Sequence, residues 1–246
     1  MNTKNCFIGQ SGGPTVAINA SLAGIITQCQ KEGFTHIYGM INGIQGLLED
    51  HFMDLGTTFN SEEKIDALKH SPAMYLGSCR YKLPTVSDDK ATYDLLFKKF
   101  NDLEITDFFY IGGNDSMDTV AKLAAYGETI NSPIHFIGIP KTIDNDLMGT
   151  DHTPGFGSAA KYVASSMLEI AYDSSIYKLD AITIVEIMGR NAGWLTAASA
   201  LARTECNDAP DLIYLPEVVF DKERFLKDIE EKFKEKSSIM IAVSEG

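Results

Sequence analysis

The sequence predicts an α/β fold in which parallel sheets are covered on both faces by helices. Three observations carry this. Apolar runs alternate with segments of helical spacing, the runs are apolar at consecutive positions as doubly covered strands are, and glycine-rich turns follow several of the runs. Cys6-Phe7-Ile8-Gly9 is the first strand, followed by the turn Gln10-Ser11-Gly12-Gly13-Pro14. From Thr15 to Gln30, Ile18, Leu22, Ile25 and Ile26 recur at helical spacing. His36 to Ile41 reads as a strand, and Phe108 to Ile111 as another that ends in Gly112-Gly113 and enters a helix over about Ser116 to Tyr126. Ile134 to Ile139 is a further strand, stopped by Pro140. The scheme then repeats. Ala181 to Ile187 is a strand, Ala192 to Ala202 a small-residue helix, Leu212 to Leu215 a short strand, Lys222 to Lys236 a charged helix and Ile239 to Val243 a last strand.

A chain of 246 residues is enough for two modest α/β domains or one large one. Glycines and a proline break the rhythm between Asp146 and Gly157, which divides the chain into domains of 1–150 and 151–246. The sequence stops at Ser244-Glu245-Gly246, directly after a strand, so the expectation is a chain whose C-terminal part is missing. Hydrophobic residues at 44% and charged residues at 22% are ordinary for a packed core. The net charge of -13 argues against nucleic-acid or anionic-membrane partners, and an acidic protein that binds phosphates must concentrate its cations locally. Cys6, Cys29, Cys79 and Cys206 have no metal-ligand spacing and are expected as reduced, mostly buried thiols. The N-terminus runs straight into a strand without a secretory signal, and no apolar run has the length of a membrane span. The expected location is the cytoplasm.

Four segments carry candidate chemistry, each read as a strand-end loop, where ligands of parallel sheets bind. In Ser11-Gly12-Gly13-Pro14, paired glycines let backbone N–H groups approach an anion at a helix start, though a plain tight turn fits equally well. In Leu76-Gly77-Ser78-Cys79-Arg80, with Lys82 beyond it, the forked guanidinium could reach a phosphate; a solvated surface arginine is the plainer reading. Gly112-Gly113-Asn114-Asp115-Ser116 sets a carboxylate at a helix start, as a cap, a Mg²⁺ ligand or a phosphate guide. Asn19-Ala20-Ser21 and Asn114-Asp115-Ser116 match the glycosylation pattern by chance. The fourth, Gly138 to Asp146, is the most telling. Lys141, Asp144 and Asp146 stand together after Pro140, and removing a hydroxyl proton while moving a phosphoryl group needs such a base, acid and cation.

Together Ser11-Gly12-Gly13, Gly112-Gly113-Asn114-Asp115-Ser116, Thr142-Ile143-Asp144-Asn145-Asp146, Met188-Gly189-Arg190 and Glu245-Gly246 resemble, in order, the signatures of the phosphofructokinase family. The resemblance runs from residue 6 to 246 and implies a phosphofructokinase-like α/β fold of two Rossmann-like three-layer αβα domains. It implies a larger phosphoryl-donor domain, 1–150, and a smaller fructose 6-phosphate domain, 151–246, left incomplete. Asp144 matches the family's general base for the sugar 1-hydroxyl. Thr142, Asp146, Met188, Gly189, Arg190 and Glu245 match its substrate pocket, with Asp146 a second acid beside the metal and the transferring group. Gly12, Arg80, Gly113 and Lys141 match donor contacts, and Asp144, Lys141, Asp115 and Arg190 the catalytic set.

Donor choice rests on two positions. ATP-using members resemble GGDGS and PGTIDND, whereas this sequence has Asp115 and Lys141 at the distinguishing glycines, as the pyrophosphate-dependent branch does. A carboxylate there repels an α-phosphate: at an effective dielectric of about 20, like charges about 4 Å apart cost roughly 4 kcal/mol. Lys141 offers a cation to the shorter donor. The implied function is reversible Mg²⁺-dependent phosphoryl transfer from pyrophosphate to fructose 6-phosphate in glycolysis, in a homo-oligomer, dimer or tetramer. The alternatives are an ATP-dependent 6-phosphofructokinase and a non-catalytic truncated or regulatory chain. Three departures stand out. Asn114 replaces an acid that helps carry Mg²⁺, which leaves Asn114 and Asp115 as the metal-facing pair. Ala181 stands where bacterial ATP-dependent members place a phosphate-binding arginine. Family chains also continue past this point with a basic sugar-phosphate segment.

Overall fold

A computed structural model of the chain describes residues 4–15, 17–177 and 179–246; Met1 to Thr3, with the N-terminal start read above, Val16 within the first expected helix, and Lys178 lie outside them. The chain forms two compact units, Met1–Lys141 and Thr142–Gly246. The division falls before position 150 because Thr142 and Ile143 belong to the second unit's packing. Thr153 Oγ1 donates to the Thr142 carbonyl at 2.8 Å, and Ile143 packs against that unit's core.

In the first unit the elements run β1 (Asn5–Gln10), α1 (Ile18–Lys31), β2 (His36–Met40), α2 (Gly43–Leu48), β3 (Phe52–Asp54), α3 (Leu55–Thr58), α4 (Glu62–His70), α5 (Lys90–Asp102), β4 (Ile105–Gly112), α6 (Asn114–Thr129) and β5 (His135–Pro140). They build one five-stranded sheet of order β3-β2-β1-β4-β5. The alternation of side chains along each strand explains its two cores. Phe7, Phe108 and Tyr110 face an aromatic cluster with Tyr93, Phe97 and Phe100 of α5. Ile8 and Ile111 face an aliphatic cluster with Ile18, Leu22 and Ile26 of α1. Residues at even and odd positions are thus both buried, which is why β1 reads as a continuous apolar run.

One strand departs from the all-parallel expectation. β3 pairs antiparallel with β2, Met40 opposite Phe52. The connection between them is occupied by the six-residue α2, too short for the crossover a parallel return needs, and Ile41 N–H donates to the His51 carbonyl across it at 3.0 Å. Phe52 then packs edge-on against Phe7.

The second unit contains α7 (Phe156–Ser175), β6 (Ala181–Ile187), α8 (Trp194–Ala198) with a 3-10 turn Ser199–Ala202, β7 (Leu212–Tyr214), α9 (Lys222–Lys232) and β8 (Ser238–Ser244). Its three strands are all parallel, in the order β6-β8-β7. Central β8 sends Met240 and Ala242 to a core with Met167 of α7 and Leu195 of α8, and Ile239 and Ile241 to Ile229 of α9. The expected helix over 192–202 is split, with Gly193 ahead of it and a tighter turn finishing it. Among the described residues all four cysteines are free thiols; Cys6 and Cys29 are buried, Cys79 is half-buried and Cys206 exposed. Among the described residues no helix is long and apolar enough to cross a membrane.

Candidate active site

The carboxyl ends of β1, β4 and β5 lie side by side, Gln10 opposite Ile111 and Gly112 opposite Pro140. The loops that leave them are tied to each other by backbone bonds. Ser11 N–H donates to the Ile111 carbonyl at 2.9 Å, and Lys141 N–H to the Gly112 carbonyl at 2.8 Å. Gly112 has no room for a side chain, since a Cβ would stand 2.1 Å from Ser116 Oγ and 2.7 Å from the Ser11 carbonyl. Gly12 takes φ +82, and a Cβ on it would lie 3.4 Å from Gly113 N and 3.5 Å from Lys141 Nζ. Gly113 in turn caps the sixteen-residue α6. A backbone N–H, a helix N-terminus and a buried ammonium, Lys141 being only 7% exposed, therefore converge on the space beside Gly12. Such a set of groups suits an anion.

The Gly77–Arg80 segment belongs beside it but is not a strand-end loop. Residues 71–89 form neither helix nor strand. The segment reaches the site because Ser78 Oγ donates to the Gly12 carbonyl at 2.8 Å, Asn42 N–H to the Leu76 carbonyl at 2.8 Å and Asn42 Nδ2 to the Ser78 carbonyl at 3.0 Å. Arg80 is exposed. Lys82, given no role from the sequence, sets its Nζ 3.3 Å from Asp115 Oδ1, with both side chains largely in solvent. Under these loops Tyr110 is buried, its oxygen accepting the Ile44 N–H at 3.3 Å, and burial drives its phenol well above the usual tyrosine range. Asn114 and Asp115 are exposed in the first turn of α6. Among the described residues no three His, Cys, Asp or Glu side chains gather as a metal cage.

In the second unit the Thr142–Asp146 loop is held by a residue the sequence reading gave no role. Asn145 is buried at φ +60, a conformation asparagine tolerates better than most residues. Its Oδ1 accepts Thr153 N–H at 2.9 Å and its Nδ2 donates to the Asp151 carbonyl at 3.0 Å. Asp144 N–H donates to Thr142 Oγ1 at 3.1 Å; Asp144 is half-buried and Asp146 exposed. Ile143 of this loop and Met188 line one cavity of about 320 Å³ with Val163, Met167 and Val185. The loop and the Met188-Gly189-Arg190 segment are thus brought together.

That segment sits at the end of β6, beside the end of β8, with Ile187 opposite Ser244. Glu245 N–H donates to the Ile187 carbonyl at 3.1 Å. Gly189 takes φ +125, and a Cβ on Gly246 would stand 2.0 Å from the Arg190 carbonyl, so this close approach admits only glycine. Arg190 and Glu245 are both exposed beyond these ends. Two groups of loops result: Gly12, Gly113, Lys141, Asp115 and Arg80 in the first unit, and Thr142, Asp144, Asp146, Met188, Gly189, Arg190 and Glu245 in the second.

The phosphofructokinase family profile matches residues 5–246. The chain belongs to the phosphofructokinase family. It is 42% identical over 250 residues to the pyrophosphate–fructose 6-phosphate 1-phosphotransferase of Halomonas elongata, and 42% identical over 250 residues to that of Methylococcus capsulatus. In both cases the match covers 100% of this chain and 59% of the relative, so the chain spans about three fifths of those phosphofructokinases' length. Its fold is similar to the crystal structure of a pyrophosphate-dependent phosphofructokinase from Nitrosospira multiformis, with a TM-score of 0.84 and 40% identity over 98% of this chain and 60% of that one.

Proposed function

We propose that the chain serves reversible Mg²⁺-dependent phosphoryl transfer from pyrophosphate to the 1-hydroxyl of fructose 6-phosphate, a glycolytic step in the cytoplasm. The observation that carries this reading is the buried Lys141 ammonium beside Gly12 and Gly113. It sets a buried cation next to the Gly113 nitrogen, in an otherwise strongly acidic chain. Preorganised donors of this kind stabilise charge that builds on a transferring phosphoryl group without reorganising during the reaction.

In this reading the first unit takes the donor and the second the sugar phosphate. Arg80 supplies a forked cation to pyrophosphate, and Asp115 excludes the α-phosphate of a nucleotide. Asp144 removes the proton from the 1-hydroxyl, while Arg190, Glu245, Met188, Gly189 and Thr142 shape the sugar pocket. Mg²⁺ fits this donor set as an ion held mainly by substrate phosphates with one or two protein oxygens, since Asn114 and Asp115 stand together and the described residues form no closed cage. When bound it would neutralise charge on the phosphate oxygens. Asp146 is a second acid near that ion, and the active protein is a dimer or tetramer of identical chains.

Reversibility gives a direct test. Incubating the protein with fructose 1,6-bisphosphate, orthophosphate and Mg²⁺ should produce pyrophosphate, seen as a new resonance in the ³¹P spectrum. A spectrum that never gains pyrophosphate, from protein that turns over fructose 6-phosphate with another donor, would discard the reading.

A further inference from the structure

Residues 71–89 have no regular structure, yet they carry Arg80. Beside the Asn42 and Ser78 bonds, the Ser71–Leu76 stretch is held by a pair of amide side chains with 0% exposure, Gln10 at the end of β1 and Asn19 in the first turn of α1. Gln10 Nε2 donates to Asn19 Oδ1 and to the Ile18 carbonyl, each at 3.1 Å, and Gln10 Oε1 accepts the Leu76 N–H at 2.9 Å. Asn19 Oδ1 also accepts the Tyr75 N–H at 3.0 Å. Its Nδ2 donates to Ser71 Oγ and the Pro72 carbonyl, both at 3.0 Å. The two amides thus do for this segment what a neighbouring strand does for a strand: they satisfy its backbone in one register. A shift by a residue would leave several buried polar groups without partners.

Both amides belong to the elements on either side of the Gly12 turn, Gln10 just before it and Asn19 just after. They therefore fix the Arg80 segment relative to that turn itself, and the Ser78 to Gly12 bond completes the tie. Neither side chain reaches solvent, so neither touches a ligand.

We infer that the Gln10–Asn19 amide pair is a positioning device for the phosphoryl donor, setting where Arg80 stands relative to Gly12 and Lys141. This rests on the donor role of Arg80 proposed above. The pair acts on donor affinity through the segment and leaves the sugar site alone.

The test uses Gln10→Leu and the milder Asn19→Ser in the whole protein, the second carrying the same measurements should the first not fold. Amide hydrogen exchange over 71–80 should quicken about tenfold while β1 and β4 keep their protection. KM for the donor should rise about tenfold with KM for fructose 6-phosphate held within about twofold. In an Arg80→Ala background the same change should leave donor KM where Arg80→Ala alone puts it, because both act through one group. A loosened segment with unchanged donor KM, equal shifts in donor and sugar KM, or full additivity with Arg80→Ala each overturns the inference. Should the wild-type protein use ATP instead of pyrophosphate, the pyrophosphate reading fails, and the same split in KM for ATP still decides the positioning role.

Discussion

The two units hold their charged groups in opposite ways. In the first, the cation is inside: Lys141 is 7% exposed, and the loops around it are bonded backbone to backbone on a sheet buried on both faces. In the second, Arg190, Glu245 and Asp146 extend into solvent from loops shaped by a strained glycine and a buried asparagine, and β6 leaves Ile182 45% and Ile184 54% exposed. A group locked before its ligand arrives adds its full electrostatic effect to the reaction, whereas an exposed, mobile one must be ordered by the ligand. Under the proposed function, this contrast puts transition-state charge in the first unit and recognition plus proton removal in the second.

The largest expected effect lies in the second unit. Asp144→Ala should lower kcat about 10³-fold while fructose 6-phosphate still binds, as judged by calorimetry, because a general base contributes to the chemical step rather than to sugar affinity. Near-normal turnover would remove Asp144 from that role. In the first unit, Lys141→Met should lower kcat about 10²-fold with a smaller change in donor KM, the signature of a group that acts mostly in the transition state. If donor KM rises and kcat holds, Lys141 is a simple binding cation and the contrast between the units collapses.

Asp115→Gly sharpens the donor half. The bare repulsion of an α-phosphate is large, but the Asp115 side chain is 68% exposed and paired with Lys82, so solvent screening leaves a gain in ATP affinity of about tenfold. Unchanged ATP binding would count against the repulsion. The smallest effect concerns stability in the second unit. Burial and a hydrogen bond to Asp228 push the Tyr214 phenol up to about 12. Because the folded value is raised above the ordinary one, this contribution is intact below about pH 10 and is lost as pH rises through the raised value. Thermal unfolding across that window should weaken less steeply in Tyr214→Phe than in the parent.

Most of what decides the reading was legible as glycines and charges after apolar runs, because strand ends of a parallel sheet must bring such loops together. Gly12, Gly113 and Lys141, which only the family resemblance groups together, stand close at the ends of β1, β4 and β5. Other parts were not legible. β3 carries only three residues, too few for a period, and the twenty-residue α7 hides in a run of small residues with weak apolar contrast. Leu76 to Arg80 is not a strand end, because much of the backbone before it is paired by side chains and not by a strand. Asn19 falls in a chance glycosylation pattern, although its position on the buried stripe with Leu22, Ala23 and Ile26 marks a polar residue placed inside a core. Gln10, at the end of a buried strand, carries the same signal. Asn145 has no signal in the linear pattern, since nothing there shows φ +60.

The most direct measurement is steady-state turnover of the protein with fructose 6-phosphate and Mg²⁺, with pyrophosphate and ATP supplied in parallel and fructose 1,6-bisphosphate read by a coupled assay. Turnover with pyrophosphate and at most a trace with ATP is the predicted result. Robust turnover with ATP and none with pyrophosphate would contradict the roles given to Lys141 and Asp115.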